Sequence, residues 1–312
     1  RPGSLDDALQ AWLDEFAPLG DRRLALATAI LISIWRNIGF PTLVFLAGMN
    51  AIPEEIFKAA DIEKDFFPAV KQMKIDEQYY ALPTSVRSLA LFWNKKLVKD
   101  AGLDPEKGPQ TLDDLLDAAK KTTKRDGGGN LLQAGITIDM LGQDHNWIRE
   151  VLIRQMGGVP YSQDNKQVAY DSAGGHAGVK WYTDLVTQHK VGEAGFMTDG
   201  VTAFKAGRAA FSIDGSFRLA AYDAQKGLDY AVGELPTHKG ISSNVASYWV
   251  NGITPKATGA KRDAAAKFLQ FITQAEAMEL WLEKVGELPA RLAAANKPAV
   301  VNHAKYGAFV RG

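Results

Sequence analysis

Few groups in this 312-residue chain have the types and spacing that chemistry needs. Five histidines, at 145, 176, 189, 238 and 303, are scattered, and none belongs to an HExxH or other paired spacing that would hold a metal. Asp144 and His145 are adjacent, so their side chains diverge on a helix or a strand alike. His189 falls at the end of a helical pattern, where a surface cation complements the helix dipole. In "AAFSIDGSF", Ser216 follows Asp214 in a turn after a strand-like run. That pair is the candidate for hydrolase chemistry, but no GxSxG elbow surrounds the serine. "DGGGN" at 126–130 lacks the GxGxxG spacing of a phosphate cradle and reads as a turn. The chain has no cysteine, which excludes disulfides, zinc–thiolate sites and cysteine nucleophiles. The expectation is a protein that performs no catalysis and needs neither cofactor nor metal.

Composition points the same way. Lysine plus arginine number 36, as do aspartate plus glutamate, so no net field recruits nucleic acid or an acidic surface. Basic residues spread over helix faces rather than alternating with aromatics, which also argues against nucleic acid. Hydrophobic residues at 46% mark a globular chain with a substantial core.

From residue 66 onward, strand-like and helix-like segments alternate. "YYALP", "LALFW", "AGITI", "AAFSIDGSF" and "DYAVGELPT" read as strands. "TLDDLLDAAKKTTKR" reads as an amphipathic helix with Thr111 as N-cap and Lys120, Lys121, Lys124 and Arg125 in its last turn. "HNWIREVLIRQMGG", "AGVKWYTDLVTQHK", "KRDAAAKFLQFITQ" and "AEAMELWLEKVG" read as further helices. Such interleaving predicts an α/β architecture with layered sheets. Trp12, Trp35, Trp181 and Trp281 read as helix-packing residues.

Residues 66–312 resemble the extracellular solute-binding proteins of ABC importers, of the maltose- and carbohydrate-binding type. The likeness is carried by "YYALPTSVRSLALFWNKKLVKDAGL", "FKAGRAAFSIDGSF", "YAVGELPTHKG", "WVNGITPKATGAKRDAAAKFLQFIT" and "VGELPAR", in the family's order. The resemblance implies two α/β lobes joined by crossing strands, with a ligand held between them by hinge closure. Crossings are expected near residues 91–93 and 235–237. Residues 66–92 and 236–275 would then form the first lobe, and 93–235 and 276–312 the second. The implied partners are a carbohydrate, permease subunits and, through them, an ATPase. A monomer in the periplasm or outside the cytoplasmic membrane is expected.

Sugars present apolar C–H faces and many hydroxyls, so aromatic platforms and planar polar groups suit them. The resemblance places Arg87 where a strand reaches the cleft, and Asn146 and Trp147 before a helix facing it. It places Asp214 and Phe217 in a cleft turn, with Phe217 where relatives often carry tryptophan. Tyr248, Trp249 and Asn251 lie on the returning strand. Alternation puts Tyr248 and Trp249 on opposite faces, so at most one meets a ligand. Arg291, in "LPAR", is the last expected site residue. Arg87 and Arg291 leave an anionic ligand open, since guanidinium suits phosphate and carboxylate.

Residues 1–65 read differently. Two apolar runs of about twelve residues each, within 24–50, flank Arg36 and Asn37; each is too short to span a bilayer, though the whole stretch is long enough. Residues 24–63 resemble part of an importer permease subunit, including the start of its EAA loop. The pattern departs at Lys58 and at Glu63-Lys64, where acid–glycine is expected. The expectation is a chimera with its seam near 62–65, a first lobe lacking its opening strands, an early C-terminal stop, and a membrane-associating segment at 24–50.

Overall fold

The computed structural model describes residues 59–75, 78–138, 143–164 and 166–312. Trp12, Trp35, Lys58 and the apolar stretch 24–50 lie outside them. The described chain starts with the helix Ala59–Asp65, then β1 (Lys74–Ile75) pairs antiparallel with β2 (Gln78–Tyr79). Next come β3 (Ala81–Arg87) and, after the single residue Ser88, β4 (Leu89–Asn94). Helices Lys95–Asp100 and Leu112–Thr122 lead to the hairpin β5 (Lys124–Arg125) and β6 (Leu131–Ile136). Helices Gln143–Gln155, Ala173–Thr187 and Gly200–Lys205 precede β7 (Ala209–Gly215). After β8 (Tyr230–Gly233) and β9 (Ser247–Gly252), helices Ala260–Ile272 and Ala275–Val285 and three short helices end the chain.

The strands form two main sheets. One has five strands in the order β5-β6-β7-β4-β8, with β6 and β7 parallel and β4 antiparallel to both its neighbours. The other pairs β3 with β9 antiparallel, with a register shift between Pro83 and Ser85. Interleaved strands and helices make this an α/β fold, as the sequence predicts.

Strand β4 explains the layering. Every residue of "LALFWN" is buried, as expected for a central strand covered on both faces. Alternation sends Leu89, Leu91 and Trp93 into a core with Leu115, Leu152 and Phe211. Ala90 and Phe92 enter a second core with Phe204, Tyr222, Tyr230 and Phe309. The Phe92 ring lies 5.4 Å from Tyr222 edge-on and 6.0 Å from Tyr230 in a stack. Phe309 is 5.8 Å away, so the last helix, Tyr306–Arg311, is anchored to the central strand.

Local signals account for the boundaries. The Thr111 side chain accepts from the Asp114 N–H at 3.1 Å, and Asp114 accepts from the Thr111 N–H at 3.0 Å, a capping box at the predicted N-cap. The helix stops at Thr122, however, earlier than the pattern suggested. The hydroxyls of Thr122 and Thr123 donate back to the Ala118 and Ala119 carbonyls, and Lys124 and Arg125 pair with β6 instead. In the "DGGGN" turn, the Asp126 carboxylate accepts from the Gly128 and Asn130 N–H groups, and Gly129 takes φ 85°. Trp181 packs against the first core, whereas Trp281 is 51% exposed beside Leu280 rather than packed between helices.

The residues flanking the expected seam belong to the fold. Ile62, Phe66 and Val70 share a core with Leu82, Met278 and Ala290. Phe92→Ala is expected to lower stability by about 3–5 kcal/mol, the usual cost of emptying a buried phenylalanine site. At roughly 2–4 °C per kcal/mol, that is a fall of about 10 °C in the thermal midpoint. A near-UV circular dichroism melt checks it, and an unchanged midpoint would contradict the anchoring role of this ring.

Candidate functional site

The two sheets exchange chain through three neighbouring segments. Arg87 ends β3 and Leu89 opens β4, where it pairs with Gly215 at the end of β7. The side chain of Asn244 brackets Leu89, accepting from its N–H at 3.1 Å and donating to its carbonyl at 2.8 Å. The Val86 N–H donates to the Leu288 carbonyl at 2.9 Å, which lays the segment after the helix Ala275–Val285 along β3. The Ser88 hydroxyl donates to the Phe309 carbonyl at 2.9 Å. The same edge of the five-stranded sheet carries the carboxyl ends of the parallel strands β6 and β7. Open α/β sheets bind ligands outside the carboxyl ends of their strands.

Arg87 is the centre of the side-chain cluster at this edge. Its guanidinium carbon lies 4.5 Å from the Phe217 ring centroid and 4.9 Å from that of Trp249. Its Nε donates to both carboxylate oxygens of Glu287, at 3.0 and 2.9 Å, and its Nη2 also contacts Oε1. Phe217 follows β7 on the five-stranded sheet, and Trp249 lies on β9 of the other, so the guanidinium joins aromatic rings from both sheets. Asp214, 5% exposed, accepts from the Gly215 N–H at 2.8 Å and from Arg218 Nε at 2.9 Å. Arg218 lies 5.0 Å from the other partner of Arg87, the Phe217 ring.

Of the nine expected site residues, Arg87 directly contacts both Phe217 and Trp249, and Asp214 joins them through Arg218. Asn251, two residues along the same face of β9 as Trp249, donates to the Thr84 hydroxyl at 3.1 Å. Tyr248 turns to the other face, where its ring meets Phe67 edge-on at 5.5 Å and burial pushes its phenol up. Asn146 is exposed and accepts from Arg149, while Trp147 is half-buried against the first core. Arg291 is held by the Asp65 carboxylate at 2.7 Å, the Thr273 carbonyl at 2.8 Å and the Phe66 ring at 4.7 Å. Those contacts tie the helix Ala59–Asp65 to the chain's last third.

Sequence reasoning missed Glu287 and Arg218. A signal existed for Glu287: an acid inside the apolar run "VGELPA" is 4% exposed, and a buried carboxylate requires a cation. Ser216 is fully buried and its Oγ has no hydrogen-bond partner, so no base is in reach to take its proton. That is not the geometry of an activated nucleophile. Among the described residues, no group of three or more His, Asp or Glu side chains is placed to hold a metal ion. A groove of about 710 Å³ lies over Trp93 and Phe211, beside Leu103 and Gln110, and none of the nine expected residues lines it.

Arg87→Ala would leave the Glu287 carboxylate buried without its cation, an omission that typically costs about 3–5 kcal/mol. The double variant Arg87→Met with Glu287→Met should recover most of that loss. Urea denaturation measures both; a single variant as stable as the wild type would contradict the pairing.

Comparison with known proteins supplies the family. A family described as "Bacterial extracellular solute-binding protein" matches residues 43–308. The match runs through residues 43–65, so the permease-like reading of that stretch and the seam at 62–65 find no support. The sn-glycerol-3-phosphate-binding periplasmic protein UgpB of Salmonella typhimurium is 28% identical over 262 residues, covering 77% of this chain and 57% of that protein. The chain thus spans little more than half the length of that relative. Among solved structures, a Thermotoga lettingae ABC-transporter solute-binding protein bound to α-D-tagatose superposes with a TM-score of 0.73 at 23% identity, covering 87% of this chain and 69% of that one. UgpB from Mycobacterium tuberculosis, in complex with glycerophosphocholine, gives a TM-score of 0.73 at 15% identity, covering 86% and 68%. These likenesses establish the two-lobed α/β fold of periplasmic binding proteins. Members of this family bind solutes rather than transform them, and its description implies a periplasmic or extracytoplasmic location. The chain belongs to the bacterial extracellular solute-binding protein family.

Proposed function

We propose that this chain is the solute-binding component of an ABC importer, holding a carbohydrate between its two lobes and passing it to a permease pair driven by an ATPase. The observation that carries the reading is the pair of rings, Phe217 and Trp249, brought from different sheets to one guanidinium. Aromatic faces suit the C–H surface of a sugar, and rings from both lobes would close on it as the hinge bends. Asn251 and Thr84, hydrogen-bonded beside Trp249, offer amide and hydroxyl groups for sugar hydroxyls. Asn146 and Trp147 would contribute from the second lobe, and Tyr248 and Arg291 would support the site from behind.

In this reading the first lobe is built on β3, β9 and the helices Ala260–Ile272 and Ala275–Val285, and the second on the five-stranded sheet. We set the first crossing at Ser88 rather than at 91–93, because Leu89 already pairs with Gly215. The returns fall within 234–246 and 286–291. The C-terminal residues 292–312 go with the second lobe, since Val300, Ala308 and Phe309 share the core of Phe92. We expect the binding unit to act as a monomer.

A second reading has an anionic ligand, favoured by the relatives named for binding sn-glycerol 3-phosphate. A membrane tether through residues 24–50 falls outside the described residues, among which no helix is long and apolar enough to cross a membrane.

A thermal melt with a panel of neutral sugars and sugar phosphates tests the reading. A ligand at a hundred times its dissociation constant stabilises by about 2.7 kcal/mol, a rise of several degrees at roughly 2–4 °C per kcal/mol. Trp249→Ala and Phe217→Ala should each weaken binding by about tenfold or more, using about 1.4 kcal/mol per tenfold. Sugar binding unaffected by both variants would overturn the placement of the site.

A further inference from the structure

The four charged side chains of the cluster are satisfied among themselves: Arg87 pairs with Glu287, and Arg218 with Asp214. The acids are the buried members, Glu287 at 4% and Asp214 at 5% exposure. Glu287 stands between Gly286, whose φ of 80° ends the helix Ala275–Val285, and Leu288, whose carbonyl is hydrogen-bonded to Val86. Backbone pairing therefore fixes the carboxylate beside the base of Arg87. The guanidinium presents Nε and Nη2 to Glu287, which neutralises its charge, and lies close over the Phe217 and Trp249 rings.

We propose that Glu287 is a specificity-determining residue: by holding Arg87, it makes the cleft select uncharged polyhydroxylated ligands and reject phosphorylated or carboxylated ones. This rests on the reading of Phe217 and Trp249 as the ligand platform. An anionic ligand would either draw the guanidinium away and strand a carboxylate that is 4% exposed, or share it through Nη1 with the negative charge of Glu287 close by, and both cost binding energy. A neutral sugar makes no such demand. It stacks on the rings and exchanges hydroxyl hydrogen bonds while both ion pairs persist. Arg87 is thus a cation whose counter-ion is built in, and its presence does not by itself mark an anion site.

The test uses the full chain as wild type, Glu287→Gln, Glu287→Asp and the double variant Arg87→Gln with Glu287→Gln. Isothermal titration measures maltose, D-tagatose and mannobiose as neutral probes, and sn-glycerol 3-phosphate and inorganic phosphate as anions. Wild type should bind neither anion at millimolar concentration. Glu287→Gln should gain affinity for at least one anion by about tenfold or more, Glu287→Asp by less, and the double variant should lose the gain. Wild-type binding of sn-glycerol 3-phosphate as tight as that of the neutral probes would overturn the proposal, whether or not any variant folds. Absence of an anion gain in both single variants, when they melt cooperatively, would also overturn it and leave the sugar reading standing if wild type binds a neutral probe. An anion gain in Glu287→Gln without wild-type binding of any neutral probe would support the role of Glu287 and count against the sugar reading.

Discussion

The burial of strand β4 on both faces constrains everything else in this molecule. Six consecutive side chains, from Leu89 to Asn94, are withdrawn from water, so the strand must lie in the middle of a sheet with helices above and below. Its odd residues enter one core and Ala90 and Phe92 the other, which fixes its register against β7. A slip of one residue would exchange Trp93 and Phe92 between cores of different shape. Because that register sets Leu89 against Gly215, it also sets what lies just beyond the sheet edge. Arg87 stands on one side and Phe217 on the other, close enough for the guanidinium to reach the ring.

The second sheet completes the arrangement. Antiparallel pairing of β3 with β9 aligns Ser85 with Trp249 and puts both on the face that carries Arg87. The same alternation turns Tyr248 toward Phe67 and the interior. The candidate site is therefore the meeting of two registers, one in each sheet. The segment after Gly286 is laid along β3 between them and brings Glu287 to the guanidinium. Three connections carry the chain across; the Arg87 side chain ties the first to Glu287, and the Asn244 side chain ties the Leu89 backbone to the second. Hinge motion of lobes joined in this way is confined to few backbone torsions.

Much of the fold was legible in the sequence because periodicity and capping are local. The continuous apolar run "LALFW", the Thr111 cap and the glycine stops at 157 and 286 each announce themselves within a few residues. What escaped was set by contacts distant in sequence. Lys124 and Arg125 fit a helical turn until β6 arrives to pair with them. Arg291 resembled a ligand residue, but Asp65 lies more than two hundred positions away and nothing local announces it. Trp147, expected before a cleft-facing helix, lies half-buried against the first core through contacts that no local pattern announces. Phe217 and Trp249 entered as candidates only through family likeness, since "IDGSF" and "SYWVNG" carry no chemistry of their own. The permease-like reading of residues 24–63 rested on a resemblance to an EAA-loop segment, and the family match, which starts at residue 43, gives it no support.

The central claim is that the ligand lies between Phe217 and Trp249. A crystal structure of the chain with a bound neutral sugar tests it most directly. The account expects the sugar ring against one or both aromatic faces, with the Arg87–Glu287 pair intact beside it. A sugar seated instead in the groove over Trp93 and Gln110, with the two rings untouched, would contradict it.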